Sequence, residues 1–132
     1  MIYKRIKYLL LKNKIKKSSK LSTKESGKIG EDFAALTLEL KGYKIIGRNI
    51  RIGGGEIDIL ATKDDSLYVF EVKLRNSDNF GNASEAITGK KKKKLKKLTD
   101  ILIKRRYKTV RLMLFAIDIK PQTLYYEIMD IE

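Results

Sequence analysis

Asp58, Glu71 and Lys73 are the residues through which this chain could do chemistry, because the side chains most hydrolases rely on are missing. No histidine occurs, which removes the commonest general base and the usual zinc ligand. No cysteine occurs either, so there is no catalytic thiol, thiolate metal site or disulfide framework. Ser/His and Cys/His mechanisms are excluded with them. Catalysis must therefore run on carboxylates, lysine, tyrosine or a bound metal ion.

Two consecutive strand-like runs carry the three residues. Glu56 to Thr62 and Leu67 to Leu74 flank the turn-forming segment Lys63-Asp64-Asp65-Ser66. Antiparallel pairing across that turn sets Thr62 opposite Leu67, Leu60 opposite Val69 and Asp58 opposite Glu71. Alternation places Leu67, Val69, Glu71 and Lys73 on one face, with Tyr68, Phe70, Val72 and Leu74 on the other. In the earlier strand it groups Ile57, Ile59 and Ala61 against Glu56, Asp58 and Leu60. Two facing carboxylates repel, and a divalent cation reverses the sign of that interaction. Mg²⁺ prefers hard oxygen ligands, and such an ion can polarise a phosphoryl oxygen and activate water without any histidine. Lys73 could steady the attacking water or offset charge in the transition state. Taken alone, Glu-x-Lys on a strand is more often an ordinary salt bridge, because such triplets are common.

The charge distribution points to a polyanionic partner. The chain of 132 residues has a formal net charge of +14, held in two blocks. Residues 1 to 26 contain nine Lys/Arg against one acid, and residues 90 to 111 contain twelve against one. Residues 27 to 89 contain eight against ten, an acidic centre between basic flanks. Nucleic acid is the natural partner of such blocks, because cations placed on phosphates release condensed counterions. A solvated lysine-rich face is the plainer alternative. No apolar run approaches the ~20 residues that span a bilayer, and no secretory signal is visible, so a cytoplasmic protein without a membrane span is expected.

The positioning elements follow from periodicity. Residues 1 to 26 form a basic arm in which Ile2, Ile6 and Leu9 or Leu10 could line one stripe of a short helix. A nucleic-acid-binding arm, a membrane-surface helix and a disordered tail all fit it. Residues 27 to 132 have the size of one domain. A helix is expected from about Lys28 to Lys41, stopped by Gly42. Ile29, Phe33, Leu36 and Leu40 form one face, while Ala34, Ala35 and Leu38 cover the other, with Glu31 one turn before them. Tyr43 to Asn49 reads as a strand ahead of the two described above. A loop over 76–82 leads to a basic helix from near Thr88 or Gly89 to about Arg106, with Leu95, Leu98 and Leu102 inward. Val110 to Ile119 and Leu124 to Ile131 complete the strands. Helix, three strands, helix, two strands predicts a mixed α/β architecture.

The same residues carry a family resemblance. Gly55-Glu56-Ile57-Asp58-Ile59-Leu60 followed by Val69-Phe70-Glu71-Val72-Lys73 resembles the P-D-(D/E)-x-K nuclease signature. Gly30-Glu31-Asp32-Phe33-Ala34-Ala35, Lys41-Gly42-Tyr43 and Arg48-Asn49-Ile50-Arg51 precede it, and Phe80-Gly81, Glu85-Ala86-Ile87-Thr88 and Lys90 follow. In this order they resemble the YraN-like family of predicted endonucleases, which is similar to Holliday-junction resolvases, over roughly residues 27 to 119. The resemblance implies a restriction-endonuclease-like fold, with a central mixed five-stranded sheet flanked by helices, and Mg²⁺, or Mn²⁺ in its place, as cofactor. It implies Asp58 and Glu71 as metal ligands, Lys73 as the catalytic lysine and Glu31 as an accessory catalytic carboxylate. It further implies that Arg51, Arg75 and Lys90 contact phosphates. The chain departs from the family at Arg111-Leu112-Met113, where Arg-Phe-Asp is common.

Two functions are consistent with these features. One is a Mg²⁺-dependent endonuclease hydrolysing phosphodiester bonds in DNA, including branched or flapped forms, with no organic cofactor. Symmetric cutting of two strands would call for a homodimer. The other is a non-catalytic nucleic-acid-binding protein that keeps the nuclease fold and grips its partner with the block that includes Lys90, Lys91 and Lys94.

Overall fold

A computed structural model describes residues 2–16, 23–52, 55–76, 93, 96, 97, 100, 107–120 and 123–131. Helices α1 (Ile2–Lys16) and α2 (Thr23–Leu40) are followed by strands β1 (Lys44–Ile52), β2 (Gly55–Lys63), β3 (Ser66–Asn76), β4 (Thr109–Lys120) and β5 (Thr123–Asp130). The strands form one sheet in the order β1-β2-β3-β4-β5. β3 and β4 pair in parallel, and the other neighbours pair antiparallel. This mixed five-stranded α/β sheet agrees with the restriction-endonuclease-like fold that the resemblance implied.

The hairpin register is the expected one. Thr62 faces Leu67 and Leu60 faces Val69, and the ladder closes at Lys63–Ser66 around Asp64 and Asp65. Asp64 takes a φ of 54°, the left-handed conformation that tight hairpin turns favour and that Asp tolerates. Parallel pairing of β3 with β4 requires a crossover, here the chain between Asn76 and Thr109. Lys93, Lys96, Lys97 and Asp100 within it are helical and exposed. The rest of the expected basic helix, including Lys90, Lys91 and Lys94, lies outside the described residues.

Two apolar layers cover the sheet. On one face α2 inserts Phe33, Ala34, Ala35 and Leu38 among Ile59, Ala61, Phe70, Met113, Phe115 and Ile117. On the other, Leu60, Leu67, Val69, Leu112, Leu114 and Ile131 form a second buried cluster. α2 ends as a Schellman turn, with Tyr43 N–H donating to Leu38 O (3.0 Å) and Gly42 N–H to Glu39 O (3.1 Å). Gly42 supplies the left-handed residue, with φ 96°, and Tyr43 joins the α2 core beside Leu38.

Three features differ from the sequence reading. α2 begins at Thr23, not near Lys28. Packing of the later turns against the sheet carries the helix back through Ser26 and Gly27, which have weak helix propensity of their own. Within residues 1 to 26, α1 is a helix seated on α2: the Tyr8 ring stacks on Phe33 (5.1 Å), Leu11 joins the same core and Lys4 pairs with Glu39 (2.8 Å). Tyr8 and Leu11 take the inward stripe, so Ile6, Leu9 and Leu10 face outward. Finally, Ile57 does not share a face with Ile59; it packs in the opposite core, for a reason that also builds the site.

Candidate active site

The site begins at a twist in the β1–β2 ribbon. Asn49, between the pairs Arg48–Ile59 and Ile50–Ile57, has a φ of 52° and lies opposite Asp58. Asn is one of the few residues with a side chain that occupies this region readily. The ribbon turns over there, so Ile59 packs beneath α2 while Ile57 and its partner Ile50 pack against the other layer. The β2–β3 ladder stops one step short of Asp58, at Ile59–Phe70. Freed from the ladder, Asp58 turns its carboxylate toward β3, where Oδ2 accepts the Val72 N–H at 2.8 Å. A charge-assisted bond to backbone fixes the carboxylate more firmly than a side-chain contact would.

Glu71, the residue before Val72, is 2% exposed. It shares its face with Leu67 and Val69, as alternation demands. Lys73 Nζ stands 4.0 Å from Glu71 Oε1 and is 38% exposed. An ion pair this long, with a half-exposed lysine, stabilises little by itself. Burying a carboxylate is costly, so its position requires a functional or structural return.

Glu31 approaches from α2. Its Oε1 is buried and has no hydrogen-bond partner among the described residues. Burial pushes the Glu31 carboxyl above the usual carboxylate range, and the Asp58 charge pushes it further, with Arg48 opposing and Glu56 and Asp32 adding to the rise. Asp58 and Glu31 therefore sense one another from different elements. Beside Glu31 an open cleft of about 560 Å³ runs between the first half of α2 and β1, lined by Lys24, Gly27, Lys28, Glu31, Asp32, Arg48 and Asn49. Arg48 bonds Asp32 at 2.6 Å across it.

These positions sort the sequence candidates. Of the candidates, Asp58 lies close enough to Glu31 to raise its proton affinity and is bonded to the amide that follows Glu71, while Lys73 stands beside Glu71. Arg51 is exposed on the far side of the twist, opposite Glu56, and does not line the cleft. Arg75 lies two residues beyond Lys73 in β3, with its side chain outside the described residues, as are Lys90, Lys91 and Lys94. Lys24, Lys28 and Arg48 line the cleft although sequence reasoning did not select them. Arg48 could have been found only from the β1–β2 register, which a shift between Ile45 and Gly47 conceals.

Chemically, the set offers oxygen donors and a lysine. Among the described residues no three carboxylates form a ready-made cation cage. Two carboxylates suffice for Mg²⁺, which retains water and takes the rest of its shell from substrate phosphate.

The raised proton affinity of Glu31 gives a stability test. The folded state holds that proton more tightly than the unfolded chain, so stability is lost as pH rises from the ordinary carboxylate range through the raised value. Glu31→Gln removes the penalty. In metal-free buffer near pH 7 the variant should melt above wild type, with the gap closing toward pH 4. A lower melting temperature at neutral pH would contradict this account of Glu31.

Comparison with known proteins places the chain among relatives of its own size. A model for the uncharacterised protein family UPF0102 matches residues 30–119. A UPF0102 protein of Dictyoglomus turgidum is 36% identical over 105 residues, covering 77% of this chain and 89% of the relative. One from Syntrophomonas wolfei is 43% identical over 81 residues, covering 61% and 70%. One from Leifsonia xyli is 47% identical over 75 residues, covering 57% and 64%. The matched span contains Glu31, Asp58, Glu71 and Lys73.

Proposed function

We propose that this chain, which belongs to the UPF0102 family, the YraN-like family its sequence resembles, is a divalent-metal-dependent endonuclease acting on DNA. The observation that carries the reading is the Asp58 carboxylate, pinned to the Val72 amide beside the buried Glu71. The donor set fits Mg²⁺. Carboxylates gather where repulsion alone would separate them, and the buried Glu31 Oε1 has no hydrogen-bond partner among the described residues. Asp58 and Glu71 would hold the ion, which when bound supplies Lewis acidity to the phosphoryl group and acidity to water.

The protein's own residues do the remaining work. The Val72 amide orients Asp58, leaving its second oxygen for the ion. Lys73, half exposed beside Glu71, reaches solvent, where it offsets charge developing on the phosphate. Glu31 adds a carboxylate of raised proton affinity, suited to accept a proton from water. Lys24, Lys28 and Arg48 form a cationic wall where the flanking phosphates would run.

The test is to incubate the protein with linear, nicked, flapped and four-way-junction DNA, with Mg²⁺ or Mn²⁺ and with a chelator. Cleavage of at least one substrate that chelation abolishes is expected. DNA binding without cleavage of any substrate would leave the non-catalytic binding reading in its place.

A further inference from the structure

We propose that α1 is a docking surface for an anionic lipid bilayer, a role separate from the nuclease reading. α1 is apolar on two opposite sides. Tyr8 and Leu11 hold it to the domain, together with the Lys4–Glu39 pair. Half a turn away, Ile6, Leu9 and Leu10 stand at the helical spacing that makes one stripe, and they are 53%, 52% and 60% exposed. No second apolar stripe is needed for folding, since the first already seats the helix.

The flanks of the outer stripe identify its partner. At 100° per residue, Arg5 and Lys12 fall on one side of it and Lys7 and Lys14 on the other. α1 contains no acidic residue. An apolar stripe edged on both sides by cations is the pattern of a helix lying in a membrane interface, where the apolar residues enter the acyl boundary and the cations meet anionic headgroups. Nucleic acid would satisfy the cations but leave Ile6, Leu9 and Leu10 against a polar surface. A second copy packed stripe to stripe would bring the cationic flanks of two α1 helices together. The bilayer satisfies both components at once. α1 is anchored along its inner side, so it would lie in the membrane plane and hold the domain at the surface; no helix among the described residues is long and apolar enough to cross a membrane.

The experiment is co-sedimentation of the full chain with phosphatidylcholine vesicles containing phosphatidylglycerol, and with pure phosphatidylcholine vesicles. The protein should pellet with the anionic vesicles and remain in the supernatant with the zwitterionic ones. Ile6→Ser/Leu9→Ser/Leu10→Ser should weaken vesicle binding by roughly tenfold or more. Arg5→Glu/Lys14→Glu should weaken it by a similar factor through the charge. Both variants alter exposed positions, so their circular dichroism and melting temperatures should match wild type. Wild type that ignores anionic vesicles, or folded variants that still bind them as wild type does, would overturn the proposal. So would an apolar variant that keeps vesicle binding but loses DNA binding or self-association.

Discussion

Asp58→Asn should fold like wild type yet lose both metal binding and cleavage. The asparagine side-chain oxygen can still accept the Val72 N–H that Asp58 Oδ2 accepts at 2.8 Å, so the local backbone keeps its partner. The negative charge goes. A metal ion contributes several kcal/mol to stabilising transition-state charge, and each 1.36 kcal/mol is tenfold in rate, so cleavage should fall by about three orders of magnitude. Isothermal titration of Mg²⁺ or Mn²⁺ should lose its binding heat in the same variant. Asp58→Ala removes the acceptor as well, and should add a stability loss of about 1.5–3 kcal/mol, the range for a bond to a charged group. Comparing the two separates positioning from charge. If Asp58→Asn retains wild-type cleavage and metal heat, Asp58 is a backbone-capping residue and no metal ligand.

Lys73→Ala should retain metal binding while losing cleavage by roughly 10²–10³-fold, the cost of deleting one electrostatic stabiliser of a transition state. Lys73 stands 4.0 Å from Glu71 and is 38% exposed, so the pair contributes at most about 1 kcal/mol to folding and the variant should melt close to wild type. Removing a cation from beside Glu71 should leave Mg²⁺ affinity unchanged or tighter, because one positive neighbour fewer opposes the ion. A purely structural ion pair predicts the opposite pattern, a shift in melting temperature with no effect on cleavage. Single-turnover cleavage and metal titration on one preparation distinguish the two outcomes.

The sequence made the hairpin and its register legible because alternation and turn chemistry agree there: Leu60 and Val69 had to face the core together, and Asp64-Asp65 could close the turn. Gly42 was legible for a similar reason, as a left-handed stop that needs no side chain. The expected pairing of Asp58 with Glu71 falls one step beyond the end of the ladder at Ile59–Phe70, where Asp58 instead accepts the Val72 N–H, and the reversal of faces at Asn49 was not visible. Periodicity assumes an unbroken pleat, and one left-handed residue breaks it without altering the count. The cleft wall was hidden for a different reason. Lys24 and Lys28 belong to a helix whose start is fixed by packing against the sheet, and Arg48 belongs to a strand with shifted register. α1 was ambiguous because its two apolar stripes oppose each other, leaving no single amphipathic face to recognise.

The reversal at Asn49 and Asp58 also makes the β1–β2 ribbon a stitch passed through the sheet. One end, with Ile45, Ile59 and Ala61, is clamped in the layer under α2, and the other, with Ile50 and Ile57, in the opposite layer. Neither layer can loosen without pulling on the residue where the thread crosses. A disturbance of either layer therefore acts on the strand segment that carries the Asp58 carboxylate.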